Sequence, residues 1–277
     1  MPVVLDVDTG VDDALALLLA VRHQALDLRA VSCVAGNAPV DQVVANTLKA
    51  LDAADAPDVP VARGADRPTR GKVPASTRSL HGADGMADLG LPASSREPIA
   101  DDAVELLRTA IAGSSRPVTL VLLAPMTNVA LLLRRHPDIV GGIERIVVMG
   151  DPERGDFNVG HDPEAAATVL DRGLPVTTYG LSVFHAVTVP TADARRLAAS
   201  VDPGARMAGR LLGHQARRFG PDQATLGDAG ALAAVVDPAG LTTTRRGDQV
   251  DVAVSVDGAR YRRLFLDALL TARPGRQ

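Results

Sequence analysis

Tryptophan is absent, and all aromatic residues together make up 2 % of the 277-residue chain. A core without large rings must be built from Ala, Val and Leu, and platforms on which a nucleic-acid base stacks are scarce. Cysteine occurs once, at Cys33, which excludes an internal disulfide and any cysteine-based metal cluster and suits a reducing compartment. No apolar run reaches the roughly 18 residues of a membrane span, and the N-terminus enters a strand with no n-region or h-region before it. No membrane partner is therefore expected, and the cytoplasm is the expected location. Neither sign of charge dominates: 29 Lys and Arg stand against 33 Asp and Glu, well mixed, so the electrostatic footprint of a nucleic-acid binder is missing. No Ser/Gly/Pro-rich linker divides the chain, and 46 % hydrophobic residues over this length suit one large α/β domain covering 1-277.

What is present is concentrated at the start. Val3 to Leu5 is a continuous apolar run, suited to a strand buried on both faces of a parallel sheet. Ala14 to Ala20 is apolar at almost every position and reads as a buried helix. Between them lie Asp6, Asp8, Asp12 and Asp13, four carboxylates in eight residues, with Gly10 expected to allow a tight turn. A helix N-terminus favours an anion by about 0.3–1 kcal/mol, whereas two like charges about 4 Å apart repel by several kcal/mol at an effective dielectric near 20. The helix dipole cannot hold four carboxylates. An all-oxygen ligand set of this kind points to a hard cation, Ca²⁺ or Mg²⁺. The plainer alternative is that Asp12 or Asp13 caps the helix while Asp6 and Asp8 are solvated turn residues.

The pattern continues as strand and helix in alternation: a strand over Leu28–Val34, a helix over Asp41–Ala54, a strand over Val59–Ala62, a helix over Asp101–Ala112, then strands at Val118–Leu123, Arg145–Met149 and Pro175–Leu181. Helices at Ala192–Ser200 and Gly204–Arg218, a strand at Val250–Val256 and a helix at Leu264–Ala272 complete it. This order predicts a Rossmann-like open sheet, mostly parallel, with helices on both faces. Asn37 stands at a strand end, and a long irregular segment to about Pro98 carries His81. Loops of that length inside a compact domain are usually functional.

At Asp6-Val7-Asp8-Thr9-Gly10-Val11-Asp12-Asp13 the chain resembles the inosine-uridine-preferring nucleoside hydrolases, whose signature is an Asp-x-Asp-x-Gly-x-Asp-Asp turn between a strand and a helix. The resemblance runs on through Gly36-Asn37, His81-Gly82-Ala83-Asp84-Gly85, Met126-Thr127-Asn128, Met149-Gly150, Phe157-Asn158 and Asp162-Pro163-Glu164-Ala165-Ala166. It implies hydrolysis of the N-glycosidic bond of a ribonucleoside at one Ca²⁺ held by Asp8, Asp13, the Thr127 main-chain oxygen and Asp228. It further implies Asp8 as the base acting on the attacking water, and Asp12, Asn37, His81, Met149, Asp156, Asn158 and Asp228 as contacts to substrate. A homodimer or homotetramer is the assembly it implies.

The chain departs from the family at three points. Asp156 replaces the usual Glu, the loop asparagine expected near Asp151–Gly155 is missing, and Gly227 stands where the family has a His that protonates the leaving purine. His214, and after it His81, are the candidates to supply that proton; His185 fits a family position but gains no role from that. Two competing readings remain at this stage. One is a riboside-binding member with weak or altered catalysis. The other is a haloacid-dehalogenase-like phosphatase, which also opens with Asp-x-Asp but wants Thr or Val where this chain has Gly10.

Overall fold

The computed structural model describes residues 1–71, 81–151 and 156–271. The altered loop at 152–155, most of the stretch before His81, and Ala272 at the expected end of the last helix lie outside the described residues. The strands are β1 (Pro2–Val7), β2 (Asp27–Cys33), β3 (Val61–Arg63), β4 (Val118–Leu122), β5 (Ile143–Val148), β6 (Val176–Thr178), β7 (Thr188–Val189), β8 (Ala224–Thr225), β9 (Leu241–Arg246) and β10 (Val250–Val256). The helices are α1 (Val11–Arg22), α2 (Val40–Ala53), α3 (Ala103–Ala112), α4 (Thr127–Arg135), α5 (Phe157–His161), α6 (Pro163–Leu170), α7 (Leu181–Phe184), α8 (Thr191–Ala198), α9 (Pro203–Phe219), α10 (Asp228–Val236) and α11 (Gly258–Leu270).

Eight strands form one sheet in the order β3-β2-β1-β4-β5-β6-β10-β9, parallel throughout except for the antiparallel β10–β9 pair at one edge. β7 and β8 form a separate two-stranded ribbon. The chain is a single α/β domain. β1 is buried along its whole length because it is flanked on both sides and covered on both faces. Its side chains alternate: Val3, Leu5 and Val7 join the core beneath α1 and α10, while Val4 joins Leu120, Leu122 and the apolar faces of α3 and α4 on the other side. α10 has no polar face, and every residue from Asp228 to Val235 is buried. A helix built so largely from Ala packs closely against α1 without large side chains.

The topology also places the site. From β1 the chain moves outward through β2 to β3, then returns to β4 on the opposite side of β1. Strand order therefore reverses between β1 and β4. Crevices at the carboxyl ends of strands flanking such a reversal are where open α/β sheets hold their ligands.

Two expectations change. The strand read as Pro175–Leu181 ends at Thr178, where its pairing with both β5 and β10 stops, and Leu181 instead opens α7. β9 carries no periodic apolar signal: it reads Leu-Thr-Thr-Thr-Arg-Arg and is exposed along most of its length, and its pairing with β10 makes it a strand.

Candidate active site

Asp8 follows β1 directly and is buried with Asp6, Asp13 and Asp228. α1 begins at Val11, and the Asp13 carboxylate reaches back to accept the Gly10 N–H at 2.9 Å and the Asp8 N–H at 3.2 Å. Half of a capping box is thus built from an acid that also faces the crevice. Gly10 is required for space and not for a left-handed turn, since its φ is −104°. A Cβ there would lie 2.5 Å from His81 Nδ1 and 2.9 Å from Asn37 Nδ2.

Asn37, in the turn after β2, donates its main-chain N–H to Asp8 at 2.8 Å and its side-chain amide to Asp8 and Asp13 at 3.1 and 3.3 Å. Burial pushes the Asp8 carboxyl well above its usual range, and the charge of Asp13 adds to this, although the Asn37 N–H works against it. Asp13 is pushed up to about 7, first by burial and then by Asp12. Asp228 is raised by burial and then by Asp12, Asp13, Asp8 and Asp156. Asp6 lies one layer deeper, bonded by Ser32 at 2.5 Å and by Asn128 at 2.8 Å, and burial takes it to about 7.

Above these carboxylates are two adjoining cavities. The inner one, of 230 Å³, is lined by Asp12, Asn37, His81, Leu123, Met149, Asp156, Asn158 and Asp228 with Phe157, Leu181, Phe184 and His185. The outer one, of 360 Å³, is lined by Val11, Gln215, Phe219, Gln223 and Thr225 and shares Asp12, His81, Phe184 and His185 with the first. Asn158 gives both amide protons to the carbonyls of Leu123 and Met149, at 2.9 and 3.1 Å, which leaves it acceptor capacity alone. Asp156 caps α5, accepting from Val159 at 3.1 Å and from the Asp151 N–H, and burial raises its carboxyl.

The residues fit a cation. Asp12, Asp13 and Asp228 can each bring one carboxylate oxygen within 4.8 Å of the others. Asp12 Oδ1 is buried with no hydrogen-bond partner among the described residues. No Lys or Arg lines either cavity among the described residues. Oxygen donors of this kind, crowded and unneutralised, suit a hard divalent ion. Asp8 adjoins the trio through Asn37 and Asp13.

The family described as inosine-uridine preferring nucleoside hydrolase matches residues 3–269. The chain belongs to this family. Among the relatives of this nucleoside hydrolase are two called "Pyrimidine-specific ribonucleoside hydrolase RihA". The one from Shewanella sp. (strain MR-7) is 38 % identical over 250 residues, covering 86 % of this chain and 78 % of the relative. The one from Enterobacter sp. (strain 638) is 38 % identical over 258 residues, covering 89 % and 82 %. Two solved structures superpose with a TM-score of 0.87. The "Purine-Preferring Ribonucleoside Hydrolase from Gardnerella vaginalis" is 25 % identical, with 97 % of this chain and 98 % of that one covered. The "Plant nucleoside hydrolase - PpNRh1 enzyme" is 24 % identical, with 98 % and 99 % covered, and speaks for the fold alone. The protein is accordingly a ribonucleoside hydrolase.

Of the nucleoside hydrolase residues expected from sequence, Asp12, Asn37, His81, Met149, Asp156, Asn158 and Asp228 line the inner cavity. Thr127 does not. Its hydroxyl donates to Asp162 at 2.8 Å, and its carbonyl, at the first position of α4, is taken up by the helix ladder. Leu123, the residue that leaves β4, does line it, and its carbonyl accepts from Asn158 at 2.9 Å. His214 lies outside both cavities, next to Asp88. His185 and Phe184, which sequence reasoning left without a role, line both cavities. Their signal is positional, since they close α7, the short helix that follows the carboxyl end of β6.

Proposed function

We propose that the enzyme is a Ca²⁺-dependent hydrolase of pyrimidine ribonucleosides, with the ribose in the inner cavity and the base in the outer one. The observation that carries this is the clustering of Asp12, Asp13 and Asp228 at the cavity that Asp12, Asp228, Asn37 and Asn158 border, which no Lys or Arg lines among the described residues. Asp8, Asp13 and Asp228 would hold the ion, with Asp12 beside them, and the main-chain oxygen of the set is Leu123's in place of Thr127's. Ca²⁺ tolerates the irregular mixture of carboxylates, carbonyls and a vicinal diol better than Mg²⁺, which demands near-ideal octahedral geometry. The chemistry a bound Ca²⁺ supplies is neutralisation of the carboxylates and a lowered pKa for water.

Asp8, held by Asn37, takes the proton of the attacking water as it adds to the anomeric carbon of an oxocarbenium-like sugar. Asp12, Asp228 and Asn158 are acceptors for the ribose hydroxyls, and His81 with Asp156 borders the sugar's 5′ end. In the outer cavity the Gln215 carboxamide oxygen is committed to the Thr225 N–H at 2.7 Å, which leaves two N–H donors for a base carbonyl. That polarity, together with the names of the RihA relatives, favours a pyrimidine carrying oxo groups.

A cytoplasmic location and a homodimeric or homotetrameric state belong to the same proposal, and light scattering reads the second. The deciding experiment is ribose release from uridine, cytidine and inosine with Ca²⁺ and with chelator. Uridine is expected to be cleaved fastest, and chelation to abolish cleavage. Turnover that survives chelation, or inosine cleaved faster than both pyrimidine ribosides, would overturn the proposal.

A further inference from the structure

We infer that His185 is the group that protonates the leaving base, the task left open by Gly227; the inference rests on the riboside orientation proposed above. With ribose in the inner cavity and base in the outer one, the bond between them lies among the residues common to both: Asp12, His81, Phe184 and His185. Phe184 has no proton to give. Asp12 belongs to the carboxylate group that fits the cation.

His81 is constrained differently. Its Nδ1 accepts the Val11 N–H at 3.1 Å, so with that bond in place only Nε2 is left to donate. Converting it to the imidazolium would place a second N–H against that main-chain donor. His81 can donate a hydrogen bond to substrate, but handing over the Nε2 proton would leave an imidazolate. His185 carries no such bond among the described residues; its ring stands edge-on to Phe184, with centroids 4.9 Å apart and planes at 79°. It is exposed, so its proton exchanges with solvent between turnovers. The charged and titratable groups that share its cavities are Asp12, His81, Asp156 and Asp228.

A side chain at position 227 would have to displace its neighbours. The φ of Gly227 is +53°, and a Cβ there would lie 2.7 Å from Phe184 Cζ and 2.9 Å from Asp12 Cβ. Phe184 fills the space next to position 227, and the residue that follows it in the chain presents an imidazole at the junction of the two cavities. In the step itself, the bond from C1′ to the base nitrogen breaks and its electron pair goes to the base. The His185 imidazolium gives its proton to a carbonyl oxygen or ring nitrogen of the base. The water oxygen bonds to C1′, and its proton goes to Asp8. Base and ribose leave neutral, and solvent returns His185 and Asp8 to their starting forms.

The test compares uridine with p-nitrophenyl riboside, whose nitrophenolate leaves without protonation, in wild type, His185→Gln, His185→Ala and His81→Gln, each checked for an unchanged melting temperature. Loss of a general acid typically costs 10²- to 10⁴-fold, so both His185 variants are expected to lose that factor in kcat on uridine and to keep their kcat on p-nitrophenyl riboside. The alkaline limb of the uridine pH profile should vanish in His185→Gln and persist in His81→Gln. Equal loss on both substrates, unchanged uridine turnover, or an alkaline limb removed by His81→Gln alone would overturn the assignment. A wild type that cleaves p-nitrophenyl riboside but no nucleoside would remove the substrate reading and the inference together.

Discussion

Asn37 spans Asp8 and Asp13 with one amide group, 3.1 Å from the first and 3.3 Å from the second, while its main-chain N–H binds Asp8 at 2.8 Å. Two carboxylates that repel each other are thereby held in one arrangement by a neutral donor. Replacing Asn37 with Ala removes the bridge and keeps the main-chain bond. Outer partners of metal ligands are typically worth 10- to 100-fold in metal affinity, and calorimetric Ca²⁺ titration of Asn37→Ala should fall in that range. Asp8→Asn should instead lower kcat by about 10² or more with little change in melting temperature; near wild-type turnover would remove Asp8 from the role of base.

The buried carboxylates make a second prediction, on stability against pH. Asp13 is pushed up to about 7, above its value in the unfolded chain, so its contribution is full below an unfolded pKa of about 3.9 and is lost as pH rises toward 7. In chelator, the melting temperature should therefore fall between those limits. Ca²⁺ should cancel the fall, since a ligand at 100 times its Kd stabilises by about 2.7 kcal/mol. Asp228→Asn should blunt both effects. A melting temperature equally indifferent to pH and Ca²⁺ would contradict the cation site.

Asp162 has the opposite sign. Burial raises its carboxyl, but hydrogen bonds from the Thr69 hydroxyl and N–H, the Thr127 hydroxyl and the Ala165 N–H outweigh this and hold it below the usual range. Its contribution is present above the unfolded value, about 3.9, and is lost as pH falls through the depressed folded value. Asp162→Ala leaves these donors without their acceptor and should cost about 1–3 kcal/mol near neutrality. Chemical denaturation should show the difference from wild type shrinking in acid, and a pH-independent difference would refute the assignment.

Gly227→Ala tests the crowding at that position. At φ +53° and ψ −120° an L-residue is strained by about 1–3 kcal/mol, and the contact with Phe184 adds to it. Phe184→Ala combined with Gly227→Ala should recover part of the loss in a double-mutant cycle. Additive losses would mean that Phe184 is not what fills the space.

The strand, carboxylates and helix from Pro2 to Arg22 were legible in the sequence because they are consecutive, and their local chemistry already demands a neutralising partner. Thr127 was misplaced for a geometric reason. β4 ends at Leu122 and a turn intervenes, so Thr127 is already inside α4, its carbonyl directed along the helix. His185 was not legible because its meaning comes from being common to two cavities assembled from distant segments. His214 was the first candidate for the proton, but α9 carries Gln215 to the outer cavity and its neighbour outside it. β9 escaped notice because an exposed edge strand needs no apolar alternation.

That edge has a consequence for how copies of the chain meet. Among the described residues β9 has one neighbour, and the outward row of its main-chain groups is bordered by Thr242, Thr243, Thr244, Arg245 and Arg246, all exposed. Two such strands laid side by side in parallel would bring guanidinium against guanidinium, and charged side chains on an edge discourage pairing in either direction. The opposite edge, β3, is three residues long. Neither margin invites the sheet to continue from one molecule into the next. Any contact between copies of this hydrolase is thereby left to helix and loop surfaces.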